Sequence, residues 1–165
     1  MVANRLKPLL PSLISVEQDG YVKGRQILKN IIQAHEVVHS LTINRKAGMI
    51  MQLDIAKAYD KISWTYIRKI LIAFGFDHNQ VRRILALVTS SSFSILVNGS
   101  PSETFLPFRG LRQGDPLSPF LFILMMEGLG QSINHAKEVD KIKVLQLSDR
   151  GQAWMHQYFV DDTML

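Results

Sequence analysis

The sequence predicts an α+β fold in which an antiparallel sheet packs on helices, and three observations predict it. Apolar residues recur at helical spacing along three stretches, and a fourth stretch is apolar nearly all round. Between and after these stretches the period shortens to that of strands. Two strand pairs have the form of hairpins, which favours α+β over a doubly wound parallel sheet. The chain's 165 residues suit one domain, and its 47% hydrophobic and 20% charged content excludes a disordered charged tail. Ten Gly and six Pro exclude collagen-like or low-complexity sequence. The absence of cysteine excludes a disulfide framework, a zinc ribbon and a thiol nucleophile, and allows a reducing compartment.

Each element has its own warrant. Ile27, Ile31, Ala34, Val38 and Leu41 lie on one face of a first helix, which Gly48 follows. Residues 49–55 are then expected as a buried strand. Trp64, Ile67, Leu71 and Phe74 make a second helical stripe behind Ser63 as N-cap. Val81, Ile84, Leu85 and Val88 make a third, with Arg82 and Arg83 on its polar side. Phe93 to Val97 enters a hairpin at Asn98-Gly99, with Glu103 to Phe105 returning. Ser118-Pro119 supplies an N-cap and a Pro at the first helical position. The helix it opens is apolar from Phe120 to Met126 and is therefore expected to be deeply buried. Trp154 to Val160 is expected as the last strand, running into Asp161-Asp162.

Charge is unevenly spread. Residues 1–50 carry seven Lys/Arg against three acids, residues 51–100 six against three, and residues 101–165 six against eight. A basic surface beside local carboxylates suits a protein that holds a polyanion near a cation, although many basic proteins share it. The start of the chain is too short and too broken by Pro8 and Pro11 for a signal peptide. The longest apolar run, Phe120 to Met126, is far below the roughly 20 residues of a spanning helix. The expected setting is intracellular, nucleus or cytoplasm, with no membrane partner.

Three motifs carry chemistry. In Gln52 to Asp60, Asp54 ends an apolar strand, where it either caps the turn into the next helix or is paired by a metal ion. In Arg109 to Pro119, two glycines, two arginines and Gln113 precede a helix N-terminus, as in an ordinary turn or in a loop that meets an anion. In Tyr158 to Leu165, Asp161 and Asp162 adjoin between apolar strand segments. Such a pair is either a hairpin turn or a place where a divalent cation relieves the repulsion of like charges.

In this order the motifs resemble those of a reverse transcriptase palm of the non-LTR (LINE-type) retrotransposon class. Asp54 with Ala58-Tyr59-Asp60 resembles the first motif, Arg112 to Pro119 the second, and Phe159-Val160-Asp161-Asp162 the tyrosine-alanine-aspartate-aspartate box, with Phe and Val in place of Tyr and Ala. Gln18-Asp19-Gly20-Tyr21-Val22-Lys23-Gly24-Arg25 resembles an upstream fingers motif. The resemblance implies a partial right-hand polymerase fold without a thumb: a fingers remnant over about 1–47, and a palm with fingers-type insertions over about 48–165. It implies nucleotidyl transfer by two Mg²⁺ ions (Mn²⁺ being possible) roughly 3.5–4 Å apart. The ions would be held by Asp54 and Asp161, with Asp162 assisting and the Ile55 carbonyl completing the shell. RNA template, DNA primer and deoxynucleoside triphosphates are the implied partners.

The same resemblance makes Tyr59 an aromatic gate against a ribose 2′-hydroxyl, where a core aromatic is the alternative. It places Gln113 and Gly114 beside the nascent base pair, and Lys23, Arg25, Arg109 and Arg112 toward nucleic acid or triphosphate, where solvated surface residues are the alternative. His35 and His39, four apart, lack a third ligand and suit a solvated helix face. Measured against the family, the pattern lacks an upstream arginine segment and a downstream primer grip and thumb. The expectation is therefore a polymerase by descent, incompetent as this fragment. A non-catalytic nucleic-acid-binding remnant and a metal-dependent nuclease are the alternatives.

Overall fold

A computed structural model describes residues 2–44, 48–142, 145–146, 153–154 and 156–165. Helices α1 (Val2–Leu6) and α2 (Leu10–Leu13) lead to the long α3 (Ile27–Asn44). Strand β1 (Gln52–Leu53) is followed by α4 (Ala58–Lys61), α5 (Trp64–Ala73) and α6 (His78–Thr89). The hairpin β2 (Leu96–Val97) and β3 (Ser100–Pro101) precedes α7 (Ser118–Glu138). The chain closes with β4 (Leu145–Gln146), β5 (Ala153–Trp154), β6 (Gln157–Phe159) and β7 (Asp162–Met164). Among the described residues the strands pair antiparallel, and a three-stranded sheet has the order β1-β7-β6. The fold is α+β, as its patterning predicts.

The core forms around α7. Leu121 to Met126 are all buried, so this helix has no wet side over two turns. It needs cover on opposite faces, and two glycines admit it. A Cβ on Gly128 would lie 2.2 Å from Tyr66 Oη, whose hydroxyl donates to the Met125 carbonyl at 3.0 Å. A Cβ on Gly130 would lie 3.3 Å from Tyr158 Oη. Thus α5 packs against one face of α7, and β6 against another. Ile67 and Leu71 of α5 are fully buried, as are Val81, Ile84, Leu85 and Val88 of α6 to within a few per cent. The expected stripes on those two helices are their core faces. Asp77 and Gln80 form a reciprocal capping box that starts α6.

Four expectations need correction. Residues 49–55 are not a buried strand: β1 is a two-residue edge strand, with Met49, Met51 and Leu53 exposed, because among the described residues only β7 pairs with it. On α3 the expected stripe is not the packed face, since Ile27, Ile31 and Val38 are about half exposed while Val37 is buried. That helix meets the sheet through amides: Gln157 Nε2 donates to Asn30 Oδ1 at 2.6 Å and to Gln33 Oε1 at 2.5 Å, and Asn30 Nδ2 donates to the Tyr158 carbonyl at 3.1 Å. The N-cap position of α7 is Leu117 rather than Ser118, because the Asp115 carboxylate accepts from the Leu117 amide at 2.9 Å. The expected strand over 154–160 divides into β5 and β6, and residue 155 lies outside the described residues. The Asn98-Gly99 hairpin forms as expected, with both turn residues at positive φ and a Phe93–Phe105 bridge closing its base.

The crossing of α5 and α7 yields a test. Gly128→Ala should lower stability by about 1–3 kcal/mol through overpacking, despite the roughly 1 kcal/mol that Ala gains over Gly in a helix. Removing the Tyr66 hydroxyl should relieve most of that clash. Thermal melting of Gly128→Ala, Tyr66→Phe and the double variant should show a clearly sub-additive loss; additive losses would mean that the two residues do not meet.

Candidate active site

The β6–β7 hairpin is the centre of the site. Phe159 pairs with Asp162, so Val160 and Asp161 are a two-residue turn. Val160 has φ +59°, a backbone conformation that favours glycine. A β-branched residue there costs about 1–3 kcal/mol and persists only where its surroundings enforce it. Asp161 is half-buried at the tip, and Asp162 is the first, exposed residue of β7.

Register brings Asp54 to the same place. Gln52 pairs with Met164 and Leu53 with Thr163. Continued by one residue, that register sets Asp54 across from Asp162. Two further bonds between Met51 and Leu165, both 2.8 Å, extend the pairing at its other end. Asp54 is exposed, and Ile55 beside it packs against the core. Among the described residues none of the three carboxylates takes part in an ion pair or side-chain hydrogen bond. Three carboxyl groups without a cationic partner among the described residues offer oxygen ligands of the kind a hard divalent cation takes. Their side chains are not drawn into a closed cluster, since no group of three such ligands stands together among the described residues.

Tyr59 lies between the core and the turn. Its ring stacks on Phe122 of α7 with centroids 4.7 Å apart and planes 5° from parallel. Burial, then the neighbouring Tyr21 and Asp161, push its phenol up to about 12. Tyr21, with φ +55° and an exposed ring, thus stands against Tyr59 at the mouth of the site.

The second motif docks on the first. Leu111 N donates to the Tyr59 carbonyl and Gly110 N to the Ile62 carbonyl, each at 2.8 Å, while Trp64 Nε1 donates to the Gly110 carbonyl at 2.8 Å. Gly110 has φ +93° and leaves only 3.1 Å between a would-be Cβ and the Asp60 carbonyl oxygen, so a side chain there would push the two motifs apart. Beyond it, Arg109, Arg112 and Gln113 line an open groove with Asp60, Trp64 and Phe93. Arg109 lies over the Phe108 ring at 4.6 Å. Arg112 is tied to Asp115 and to the Leu87 carbonyl, both at 3.1 Å. Gln113 and Gly114 are exposed at the loop tip, where Gly114 has φ +85°.

The fingers-like motif divides in two. Lys23 is exposed and shares a broad groove with Lys7, Tyr21 and Phe120. Arg25 points inward instead: its guanidinium donates to the carbonyls of Ile14 (2.9 Å), Ser15 and Gln18 (2.6 Å). Gln18, which the motif resemblance leaves without a role, is 1% exposed and bonds to Val160. Asp19 is buried with neither carboxylate oxygen partnered, and burial raises its pKa against the pull of Lys29 and Arg25. Nothing in the spacing of these residues signals that they face the hairpin, which is about 140 positions away.

The family described as reverse transcriptase (RNA-dependent DNA polymerase) matches residues 1–165. The chain belongs to the reverse transcriptase family. It is 32% identical over 107 residues to a retrovirus-related Pol polyprotein from type-1 retrotransposable element R2 of Popillia japonica, covering 65% of this chain and 18% of that protein. It is 40% identical over 80 residues to the Pol polyprotein from type-2 retrotransposable element R2DM of Drosophila melanogaster, covering 48% of this chain and 8% of that one. The chain thus spans less than a fifth of each. Its fold is similar to that of the telomerase from Candida tropicalis truncated from its C-terminal domain, with a TM-score of 0.62 at 12% identity over 99% of this chain and 32% of that one. This reverse transcriptase domain is of the non-LTR retrotransposon class, as its motifs imply. No helix among the described residues is long and apolar enough to cross a membrane.

The raised Tyr59 phenol gives the domain a pH signature. The folded form holds the phenol neutral where the unfolded chain, near pH 10, releases its proton. Stability from this group is therefore complete below pH 10 and is lost as pH rises toward about 12. Burial also raises the phenols of Tyr66 and Tyr158, so the decline is shared. Tyr59→Phe should make the fall in melting temperature between those pH values shallower, and should remove one late-titrating phenol from the ultraviolet titration. Loss instead of a phenol that titrates near pH 10 would place Tyr59 in solvent.

Proposed function

We propose that this domain is an RNA-directed DNA polymerase by descent, and that the 165-residue chain alone is incompetent. In a protein that supplies a primer grip and thumb, its residues serve to extend a DNA primer along an RNA template with deoxynucleoside triphosphates. The observation that supports the reading is the β1–β7 register, Gln52 with Met164 and Leu53 with Thr163, which if continued by one residue would bring Asp54 opposite Asp162 across more than 100 positions of sequence. On this reading residues 1–47 belong to the fingers and 48–165 to the palm. Asp54 and Asp161 would hold two Mg²⁺ ions, or Mn²⁺, with Asp162 and the Ile55 carbonyl assisting. The chemistry such ions supply is activation of the primer 3′-hydroxyl and neutralisation of charge on the triphosphate and the leaving pyrophosphate.

The chain's own residues would do the rest. Stacked on Phe122, the Tyr59 ring would exclude a 2′-hydroxyl by overlap. Gln113 and Gly114, at the exposed loop tip, would meet the nascent base pair. Lys23, Arg109 and Arg112 would neutralise backbone or triphosphate charge, a contribution that falls with salt. Arg25, whose donors go to three carbonyls, would serve nucleic acid indirectly by shaping the loop before α3.

Two substitutions test the reading in a protein that carries this domain and extends a primed RNA template. Asp54→Asn should abolish extension while leaving duplex affinity within about twofold, because a lost metal ligand removes chemistry and not backbone contacts. Equal loss of binding would mean a structural role for Asp54. Tyr59→Val should raise ribonucleotide relative to deoxyribonucleotide incorporation, measured as a ratio of kcat/KM values. Unchanged sugar discrimination would leave Tyr59 as core.

A further inference from the structure

We propose that Gln18 is the positioning residue of the aspartate turn, a buried amide clamp that holds Val160 at positive φ and thereby fixes Asp161. The proposal deepens the polymerase reading and rests on it for the consequence at the cation site. The clamp itself stands on hydrogen bonds. Gln18 Oε1 accepts from Val160 N at 3.1 Å, and Gln18 Nε2 donates to the Val160 carbonyl at 3.3 Å. One side-chain amide thus grips the residue before Asp161 through both of its backbone groups. The same Oε1 accepts from Gly20 N at 2.8 Å, which fixes the amide's orientation.

Three further features hold the clamp in place. Residues 17–19 run parallel along the free edge of β6: Tyr158 N donates to the Glu17 carbonyl at 2.8 Å, and Asp19 N to the Tyr158 carbonyl at 3.2 Å. Arg25 gathers the carbonyls of Ile14, Ser15 and Gln18, so the loop that carries the clamp cannot swing away. Gly20 has no side chain because none fits; a Cβ there would lie 2.7 Å from Val160 Cγ2 and 2.9 Å from Val160 N. Val160 has no glycine's freedom and is β-branched, so its left-handed conformation needs enforcement from outside the turn. Gln18 supplies it. The segment from Gln18 to Arg25 then acts on the site by setting the backbone from which Asp161 projects, without touching a substrate.

The test uses Gln18→Met, which keeps the side-chain length and removes all three bonds, and Gln18→Glu, which keeps the acceptor for the two amides and loses the donor. Amide exchange at Val160, Mn²⁺ broadening of the Asp161 and Asp162 amide signals, and the methyl signals of Leu121, Ile123 and Leu124 are read in the 165-residue chain. In Gln18→Met, Val160 exchange should rise about tenfold or more as its partly buried bond to Gln18 is lost. The Mn²⁺ concentration needed for broadening should rise about tenfold, as for other outer-shell changes at metal sites. The α7 methyl signals should stay in place. Gln18→Glu should keep most of the Val160 protection. Unchanged Val160 exchange in Gln18→Met would overturn the proposal, since the turn would then hold itself. Loss of the α7 signals in both variants would also overturn it, by making Gln18 a residue of folding at large. If Mn²⁺ broadens nothing in the unaltered chain, the cation-site reading fails, and Val160 exchange alone decides the clamp.

Discussion

The rest of the structure depends on the burial of α7 from all sides. A helix with Leu121 through Met126 all buried cannot lie on a surface, so other elements must close on it from opposite directions. Gly128 lets α5 come in to the distance at which Tyr66 reaches the Met125 carbonyl. Gly130 lets β6 come in to contact with Tyr158. Phe122 stacks on Tyr59 and so fixes α4, on which the Gly110 loop is hydrogen-bonded. The aspartates therefore inherit their positions from an apolar helix that carries no chemistry of its own.

A second constraint is the outer backbone edge of β6, which is met by backbone and side-chain groups from elsewhere in the chain. The outer edge of β6 is covered by residues 17–19, by Asn30 on the Tyr158 carbonyl, and by Gln18 on Val160. An uncovered edge would both waste hydrogen bonds and invite foreign strands. Covering it with amides rather than apolar side chains explains why α3 turns Asn30 and Gln33 inward and leaves Ile27 and Ile31 half exposed. Arg25 likewise meets backbone groups, since its guanidinium serves carbonyls at the end of α2 and in the loop after it. A positive charge in a motif that resembles a nucleic-acid contact can thus be spent on folding. Exposed Lys23, by contrast, remains free to meet an anion in its groove beside Lys7.

The sequence by itself determined the helices with clean apolar stripes. Ile67 and Leu71 in α5, and Val81, Ile84, Leu85 and Val88 in α6, lie on the faces that their spacing predicts, because solvent penalises an apolar face in the same way wherever the helix packs. It determined the Asn98-Gly99 turn, since few other residue pairs adopt two positive φ angles at low cost. It also determined the family, through Asp54, the run from Arg112 to Pro119, and Asp161-Asp162, and the matching family spans the whole chain. Tertiary structure alone decided which edge a strand occupies, so the run at 49–55, apolar enough for a sheet centre, became an exposed border paired on one side. It alone decided that Gln52 and Leu53 pair with Met164 and Thr163, because register between segments more than 100 residues apart is set by what both strands pack against. It alone turned Arg25 inward and brought Gln18 to Val160. A polar side chain carries no periodicity that points to its partner; its bond forms only where folding has left a buried donor and acceptor unmet.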